Sequence, residues 1–324
     1  MARLSPPLVC PVCRRRESGG RTFALSWSAH ALTCPNEACN RAYPVVDGVP
    51  VVHPRAAELV KEPGADASAS SPDEEVRLAG EDARLQEAVE HLSTYLDASW
   101  GDRAEPSPQG LARRGGGAVW ERLAARADRP VERAIDLGTS VGRGVFELAR
   151  GAKSAVGIDV RLMSLRRARR ILEGDRVPYA RHVVGPHYEA AVVSGEPSHA
   201  RLVCGDALDP PFSPASFDRV AAINLLDAVA RPQQIVLVVD GLCAPGGEII
   251  VASPFAWSRE LTPEGAQRGG RDPAAWLRHT FVEGVGLTSR YVVEDEAELE
   301  WCLRHSARST TVYGVYYLRA RKLA

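Results

Sequence analysis

The stretch AIDLGTSVGRGVFELA, from Ala134 to Ala149, decides the fold. An apolar run ends at Asp136 and Leu137, a glycine-containing turn follows, and a helical pattern then begins. This order of strand, turn and helix is typical of a parallel sheet, in which ligands bind beyond the carboxyl ends of the strands. The stretch therefore predicts a nucleotide-type site at the turn.

Strand and helix patterns continue to alternate along the chain. We predict strands at Arg133–Leu137, Ala155–Asp159, Arg201–Cys204, Arg219–Ile223 and Glu248–Ala252, and helices at Gly144–Arg150, Leu162–Leu172 and Pro232–Leu242. Such alternation favours a mainly parallel sheet with helices on both faces. Two β-rich segments, SRYVVEDE and TTVYGVYYLRARK, follow without a further strong helix. The expected fold class is therefore α/β, a Rossmann-like sheet with an antiparallel C-terminal edge.

Composition sets limits on the class of protein. The chain has 324 residues and a formal net charge of -1, which provides no overall attraction to nucleic acid. No apolar run approaches the roughly 18–20 residues that span a bilayer, and the N-terminus has no secretion signal. We therefore expect a cytoplasmic protein with no membrane partner. Its cysteines should be reduced there, so clustered cysteines suggest a metal before a disulfide.

Four of the seven cysteines fall in the first forty residues. CPVC places two residues between Cys10 and Cys13, and CPNEAC places four residues between Cys34 and Cys39. Four thiolates at such spacing suit a structural Zn²⁺ site, with an iron–sulfur centre or a site that has lost its metal as alternatives. Asp47-Gly48 between valine-rich runs predicts a hairpin in the same block. So small a block needs metal for much of its stability.

These patterns divide the chain into four parts. We expect a β-rich zinc ribbon over residues 1–57, a flexible linker over 58–72, a helical segment and loop over 73–130, and the large sheet domain over 131–324. A capping box at Ser71 is expected to begin the helical segment. The Gly101–Gly117 loop is either a mobile cover or disordered. The oligomeric state stays open.

The glycine turn does not suit a phosphate-bearing ligand. A dinucleotide fingerprint would need glycines where Ser140 and Arg143 stand, and a P-loop would need Gly-Lys-Ser/Thr. Acidic residues stand at the ends of three strands instead: Asp136 ends the first, Asp159 ends the second about twenty residues later, and Asp206 comes after the third. Asp159 is placed to accept ribose hydroxyls, and Asp206 to accept an adenine amino group. A nucleoside with a cationic sulfur fits this acidic rim best.

The three acidic positions resemble those of class I S-adenosylmethionine-dependent methyltransferases, over Val131 to Ser253. This resemblance implies S-adenosylmethionine as cofactor, with the glycines against its amino-acid end. The implied cofactor-binding residues are Asp136, Gly138, Thr139, Ser140, Gly142, Asp159, Val160, Asp206, Ala207 and Asn224. At Ser140 a second glycine is more common, and we expect the serine to adopt a backbone conformation allowed to non-glycine residues.

Three further stretches, SVGRGVFELA, AAINLLDAVARP and LCAPGGEIIVASPFAWSRELTP, resemble the methyltransferase domain of ovothiol synthases. These enzymes methylate an imidazole nitrogen of a thiol-bearing histidine, and carnosine N-methyltransferases are more distantly similar. The match runs from YLDASWGD at Tyr95 to Pro263 and weakens beyond it. It implies a small histidine-derived substrate and in-line methyl transfer.

Candidate catalytic and substrate residues follow from this chemistry. Asn224 could orient the acceptor and Asp227 could accept its ring N–H, the alternatives being a plain structural role and a helix cap, respectively. The substrate-binding candidates are Tyr95, Trp100, Trp257 and Tyr313 as aromatic walls, and Arg304 with Arg308 as carboxylate clamps. His182, His187 and His199 are expected to be loop residues.

The cysteine block has a resemblance of its own. CNRAYPVVDGVPVV looks like the zinc ribbon of the small activator subunit that partners several methyltransferases, and a similar ribbon precedes some ribosomal RNA guanine methyltransferases. An RNA or protein methyltransferase is therefore the rival function, with the basic helix Arg161–Arg170 as a phosphate contact. A non-catalytic scaffold is a third reading, which the complete acidic trio disfavours.

Overall fold

The structure is a computed structural model that describes residues 5–16, 22–28, 30–61, 76, 83–106 and 116–324. The expected capping box at Ser71 and most of the expected linker lie outside the described residues, as does the middle of the Gly101–Gly117 loop. Among the described residues, no helix combines the length and the apolar character needed to cross a membrane.

The strands in chain order are β1 (Ser26–Trp27), β2 (Ala31–Thr33), β3 (Ala42–Val46), β4 (Val49–Pro50), β5 (Val131–Leu137), β6 (Ala152–Asp159), β7 (Arg176–Val184), β8 (His187–Ser194), β9 (Arg201–Cys204), β10 (Phe217–Ile223), β11 (Cys243–Ser253), β12 (Tyr291–Ser306) and β13 (Ser309–Lys322). The α-helices are α1 (Pro11–Arg16), α2 (Ala56–Leu59), α3 (Ala83–Trp100), α4 (Gly117–Ala124), α5 (Arg143–Ala149), α6 (Leu162–Leu172), α7 (Pro232–Leu242) and α8 (Pro273–Glu283).

A seven-stranded sheet in the order β12-β13-β11-β10-β5-β6-β9 forms the centre of the molecule. Strands β11, β10, β5, β6 and β9 are parallel, whereas β13 and β12 are antiparallel. The expected fold class is confirmed. The expected bounds of α6, α7 and β9 match the structure, and the other four expected strands of the parallel sheet start two to five residues too late.

The apolar core fills both faces of the parallel strands. The last four residues of β5 and the last five of β10 are all buried, which is the continuous pattern of strands covered on two sides. Because these strands are parallel, their carboxyl ends meet at one edge, which we call the carboxyl edge. The turns that follow Leu137, Asp159, Cys204 and Ile223 therefore lie close together.

The two C-terminal strands form a long ribbon that passes this edge. Strand β13 pairs with β11 only between Tyr316 and Arg321, whereas its pairing with β12 continues to Ser309. The part of the ribbon beyond β11 carries Trp301 opposite Tyr313. Since β13 is antiparallel to β11, this part extends over the carboxyl edge, where α3 packs against it.

The N-terminal block, residues 5–61, contains a small sheet in the order β1-β2-β3-β4. The expected hairpin is present as β3 and β4, and it turns at Asp47 and Gly48, whose φ values are 46° and 74°. Strands β1 and β2 form a second antiparallel pair. After β4, Val51 forms a parallel bridge with Cys204 of the large sheet. The block therefore lies directly against the β9 edge of that sheet.

The insertion between α6 and β9 differs from the expectation. His182 lies in β7 and His187 begins β8, so these residues belong to an antiparallel hairpin and not to a loop. The hairpin forms because apolar residues such as Val177 and Tyr179 alternate along β7 and are buried. His199 does lie outside the strands, where its Nε2 is 2.9 Å from the carbonyl oxygen of Ala152.

Candidate functional site

The glycine turn begins the candidate site at the carboxyl end of β5. Gly138 has a φ of 75° and Gly142 a φ of 85°, and a Cβ on Gly138 would come within 2.7 Å of Leu225. Ser140 has a φ of 47°, which is the left-handed region that a non-glycine residue adopts at some cost. Our expectation of an ordinary serine backbone is therefore wrong, because the turn keeps the glycine-like conformation without the glycine.

Asp159 supports that unusual turn from the end of β6. Its Oδ2 accepts a hydrogen bond from the backbone N–H of Ser140 at 2.9 Å, and its Oδ1 accepts one from Arg161 at 2.8 Å. Burial raises the pKa of this carboxyl group, and the two N–H donors oppose the increase. A carboxylate oxygen accepts more than one hydrogen bond, so both oxygens keep capacity for the hydroxyls of a ligand.

Asp136 lies deeper, with a residue exposure of 2%. Burial raises its pKa to about 7, and the nearby Asp159 carboxylate adds to the increase. Gly144 at the start of α5 allows this close packing, because a Cβ there would come within 2.4 Å of an Asp136 oxygen. Asp136 is therefore a carboxyl group whose charge responds to a cation placed beside it.

The ends of β9 and β10 complete this half of the site. Asp206 follows β9, and its Oδ1 accepts a hydrogen bond from the backbone N–H of Leu208 at 2.8 Å. Asn224 follows β10 with a φ of 51°, and its buried Oδ1 has no partner among the described residues. Strained backbone at Ser140 and Asn224 borders the same cleft, as is common at binding sites.

Both carboxylate oxygens of Asp227 accept hydrogen bonds from the end of β11 and the loop after it. Its Oδ1 accepts a hydrogen bond from Ser253 Oγ at 3.1 Å, and its Oδ2 accepts one from the backbone N–H of Ala256 at 3.1 Å. The N-cap of α7 is Arg231, so Asp227 does not cap that helix either. It ties the loop after β10 to the end of β11.

The cleft above these strand ends has a volume of about 350 Å³. Its second side comes from α3, α4 and the ribbon and includes His91, Tyr95, Trp120 and Trp301. The rings of His91 and Tyr95 pack against each other at a tilt of 34°, with centroids 4.3 Å apart. Burial, with a contribution from Arg161, lowers the pKa of His91 to about 3, so its imidazole is neutral. We call His91, Tyr95 and Trp301 the acceptor wall.

Several buried polar atoms around the cleft lack a partner in the described part of the chain. They are His91 Nε2, Trp120 Nε1, Ser140 Oγ and Asn224 Oδ1. Burying such an atom without a hydrogen bond costs about 1–3 kcal/mol. Their shared border on one cleft, beside three carboxyl groups, is the pattern expected of a site that binds a polar, partly cationic ligand.

Comparison with known families identifies this arrangement. Residues 135–251, a little over a third of the chain, match the family model described as a methyltransferase domain. The chain contains a methyltransferase domain. The enzyme class expected from the sequence, an S-adenosylmethionine-dependent methyltransferase, is confirmed.

Solved structures with similar folds are distant in sequence. The YcgJ protein of Bacillus subtilis is 11% identical, with 64% of this chain and 99% of that chain covered and a TM-score of 0.45. The N-methyltransferase NodS of Bradyrhizobium japonicum WM9 is 15% identical, with 64% and 96% covered and a TM-score of 0.42. Similarities this low indicate no substrate for the methyltransferase domain.

The domain's residues suit S-adenosylmethionine. Asp159 has acceptor capacity for ribose hydroxyls, and Asp206 lies at the next strand end for an adenine amino group. Asp136 lies behind the glycine turn, where a carboxylate favours a cationic ligand. Of the remaining expected cofactor residues, Gly138, Thr139, Ser140, Val160, Ala207 and Asn224 border the cleft, and Gly142 is the N-cap of α5 behind it.

The expected substrate residues of the domain are scattered. Tyr95 borders the cleft, and Tyr313 lies beside Trp301 on the ribbon. Trp100 is fully buried behind the turn and donates its indole N–H to the Val141 carbonyl at 2.9 Å, so it belongs to the core and not to a substrate pocket. Trp257 lies against Phe255 in the loop after β11.

The two arginines expected to bind a substrate carboxylate, Arg304 and Arg308, are not among the residues that line the cleft. Arg304 Nη1 is 2.7 Å from Asp97 Oδ2, in a largely buried ion pair with α3. Arg308 is an exposed residue in the short turn between β12 and β13. The pairing with Asp97 makes Arg304 a structural residue that joins the ribbon to α3.

Sequence reasoning missed His91, Trp120, Arg161 and Trp301, which all border the cleft of the methyltransferase domain. One signal was available for the first of these. His91, Tyr95 and Ser99 are spaced four residues apart and therefore share one face of α3. The others lie on separate elements, and no local pattern connects them.

The four N-terminal cysteines form a compact cluster in the N-terminal block. Their sulfur atoms lie within 4.8 Å of one another, with Cys10 3.9 Å from Cys39 and Cys13 3.6 Å from Cys34. A tetrahedral site with Zn–S bonds of about 2.3 Å has sulfur–sulfur edges of about 3.8 Å. Tyr43 OH and Asn36 Nδ2 lie 3.2 and 3.4 Å from two of these sulfurs. The donor set fits a tetrahedral metal ion.

Proposed function

We propose that this protein is an S-adenosylmethionine-dependent N-methyltransferase that acts on a small, histidine-derived imidazole. The observation that carries the proposal is Asn224 Oδ1, a buried and unpartnered acceptor that borders the cleft between the carboxyl groups and the acceptor wall. The resemblance to ovothiol synthases includes the same stretch, AAINLLDAVARP.

The proposed reaction needs little more than orientation from the chain. Bound S-adenosylmethionine supplies the sulfonium methyl group. A neutral imidazole, with a free pKa of about 6.5, is already nucleophilic and requires no base before transfer. The residues around the cleft hold its free nitrogen in line with the methyl group, which removes much of the entropic barrier.

Asn224 would act on the other ring nitrogen. Positive charge develops on the acceptor ring during transfer, so its remaining N–H becomes a stronger hydrogen-bond donor. An amide oxygen that is already buried and unpaired accepts this N–H without displacing another partner. We therefore assign the stabilisation of the charged ring to Asn224, and we assign Asp227 to the support of the loop that carries it.

The acceptor wall suits such a ring. His91 is neutral because burial lowers its pKa to about 3, so it does not repel the charge that develops on the acceptor. Tyr95 and Trp301 offer aromatic faces, which attract cations. The ribbon and α3 cover the carboxyl edge, and a cleft of about 350 Å³ that also holds the cofactor favours a small acceptor.

The rival proposal is methylation of RNA or protein, and the N-terminal block is the feature that favours it. The basic helix α6 offers less support, because its arginines pair within the chain. Arg166 Nε is 2.6 Å from Asp47, Arg169 Nη2 is 2.8 Å from Glu173, and Arg170 Nε is 3.3 Å from Asp175. Phosphates would have to compete with these carboxylates.

A screen with labelled methyl donor tests the two proposals together. The acceptors are histidine, its thiol derivatives, histidine dipeptides and total RNA. We expect label in an imidazole compound and none in RNA. Label in RNA, together with RNA binding that weakens steeply with salt, would support the rival and contradict our proposal.

We further propose that the four cysteines hold one structural Zn²⁺. The sulfur spacing and the absence of a fifth ligand group from the described cluster support a closed, four-sulfur site. Elemental analysis should find one zinc per chain. An iron–sulfur absorption band, or a folded and metal-free block, would contradict this assignment. Reduced thiols at this spacing also support our proposal of a cytoplasmic location.

A further inference from the structure

The N-terminal block contacts the segment that follows β9, which carries Asp206 and Ala207 of the cofactor cleft. The backbone N–H of Val52 donates to the Cys204 carbonyl at 2.8 Å, and that of Val9 donates to the Pro211 carbonyl at 2.9 Å. We call residues 204–212 the adenine loop. Backbone contacts at both of its ends connect the block to the proposed adenine site.

Arg14 holds the middle and the end of the adenine loop. Its Nη1 donates to the carbonyl oxygens of Pro210 at 2.6 Å and Phe212 at 2.8 Å. Its Nη2 donates to the Asp209 carbonyl at 3.1 Å and also to the Asp209 carboxylate. One guanidinium group thus satisfies four acceptors within four consecutive residues, which only its rigid fork can do.

The adenine loop has little regular structure to fix it otherwise. Residues 205–216 lie between β9 and β10 without forming a helix or strand. The Asp206 carboxylate itself is oriented by the backbone N–H of Leu208, one residue before Asp209. The contacts from Arg14 therefore fix the backbone immediately after the group that would bind adenine.

Arg14 follows Cys13 directly on α1. This helix has only six residues, too few for a helix that is stable without tertiary support. The cysteine cluster supplies that support, because Cys10 and Cys13 anchor the start and the middle of α1 to Cys39 and Cys34. The direction of the Arg14 side chain thus depends on the cluster that a metal ion would close.

We propose that Arg14 is a positioning residue for cofactor binding, and that it couples metal occupancy of the cysteine cluster to cofactor affinity at the adenine loop. This inference rests on the proposed zinc site and cofactor site. Because coupling between two ligands is reciprocal, cofactor binding must also tighten the retention of the metal.

Calorimetry with S-adenosylhomocysteine and with adenosine tests the inference in the full chain. In the Arg14→Gln variant we expect both ligands to bind about tenfold more weakly, since the affected contacts lie on the adenine side. Arg14→Lys should be intermediate. The matched control is Arg15→Gln, because Arg15 is an exposed neighbour that pairs with the Asp209 carboxylate but, among the described residues, donates to no backbone carbonyl of the adenine loop. It should change either affinity by less than about twofold.

A second measurement uses the unmodified protein. Removal of the metal by a chelator should weaken S-adenosylhomocysteine binding, and saturating S-adenosylhomocysteine should slow metal release. If a folded, metal-loaded Arg14→Gln variant binds S-adenosylhomocysteine with wild-type affinity, this inference is wrong while the proposed function stands. The same holds if S-adenosylhomocysteine does not change the rate of metal release. Failure of the wild type to bind S-adenosylhomocysteine would instead overturn the proposed function, and this inference with it.

Discussion

The two sides of the cleft are built in different ways. The cofactor side consists of the ends of neighbouring parallel strands and the turns after them, so Asp136, Asp159 and Asp206 reach one edge through the sheet itself. The acceptor side combines His91 and Tyr95 of α3 with Trp301 of the ribbon, which lies more than 200 residues further along the chain. The cofactor side follows from local sequence pattern, whereas the acceptor side depends on packing between segments that are distant along the chain.

This difference separates two requirements of a methyltransferase. The residues proposed to hold the cofactor lie at the carboxyl ends of buried strands and in the turns that follow them. The residues proposed to face the acceptor lie on α3 and on the part of the ribbon beyond β11. Substitutions on the two sides should therefore change different measured quantities.

The largest effect is expected from Asp159→Ala on the cofactor side. This change removes the proposed ribose acceptors and also the partner of the Ser140 N–H. Loss of two hydrogen bonds to a charged group corresponds to an affinity decrease of about a thousandfold. Calorimetric titration with S-adenosylhomocysteine measures it. Unchanged affinity would refute the ribose assignment.

The Asn224→Gly substitution tests whether Asn224 acts on the methyl acceptor or on the cofactor. Glycine is the suitable replacement because residue 224 has a φ of 51°. We expect kcat to decrease about a hundredfold, since an oxygen that stabilises the developing charge is lost. Affinity for S-adenosylhomocysteine should change little. If the affinity for S-adenosylhomocysteine decreases as much as kcat does, Asn224 binds the cofactor and does not act on the acceptor.

A smaller effect is expected from His91→Gln on the acceptor wall. The substitution removes the imidazole ring that packs on Tyr95, together with its buried Nε2. The KM for the methyl acceptor should therefore increase about tenfold. Cofactor affinity should stay within about twofold. Glu87→Gln, an exposed position on the same helix, is the control. An equal increase in KM for both variants would contradict the assignment of His91 to the wall.

The pH dependence of cofactor affinity should show the smallest change. The pKa of Asp136 is raised to about 7, so this group is increasingly protonated, and neutral, as pH falls from 8 to 6. Affinity for a ligand with an ammonium group should therefore decrease about fivefold over this interval. Calorimetry at several pH values measures it, and Asp136→Asn should remove the trend. A trend that persists in this variant would exclude Asp136 as its source.

The position of the three carboxyl groups at one edge follows from the sequence for a physical reason. Asp136 and Asp159 lie at the ends of β5 and β6, and Asp206 follows β9, so the rule that parallel strands end at one edge brings all three together. The exact bounds of α6, α7 and β9 follow from strong local signals, such as the proline at the start of α7. The Asp47-Gly48 turn is predicted for the same local reason.

The acceptor side could not be predicted from such signals. No local pattern shows how far β13 extends beyond β11, and that offset is what places Trp301 over the cleft. Nor could the sequence show that Arg304 pairs with Asp97, or that Asp227 bonds to Ser253, because each pair is distant along the chain. The β7–β8 hairpin could have been predicted, because β7 contains an alternating apolar pattern that is typical of a strand.

A crystal structure with bound S-adenosylhomocysteine tests the central claim most directly. We expect the ribose hydroxyls on Asp159, the adenine amino group on Asp206 and the amino-acid end over the Gly138 turn. A vacant cleft in crystals grown with saturating ligand, or a nucleoside bound away from these carboxyl groups, would contradict the account.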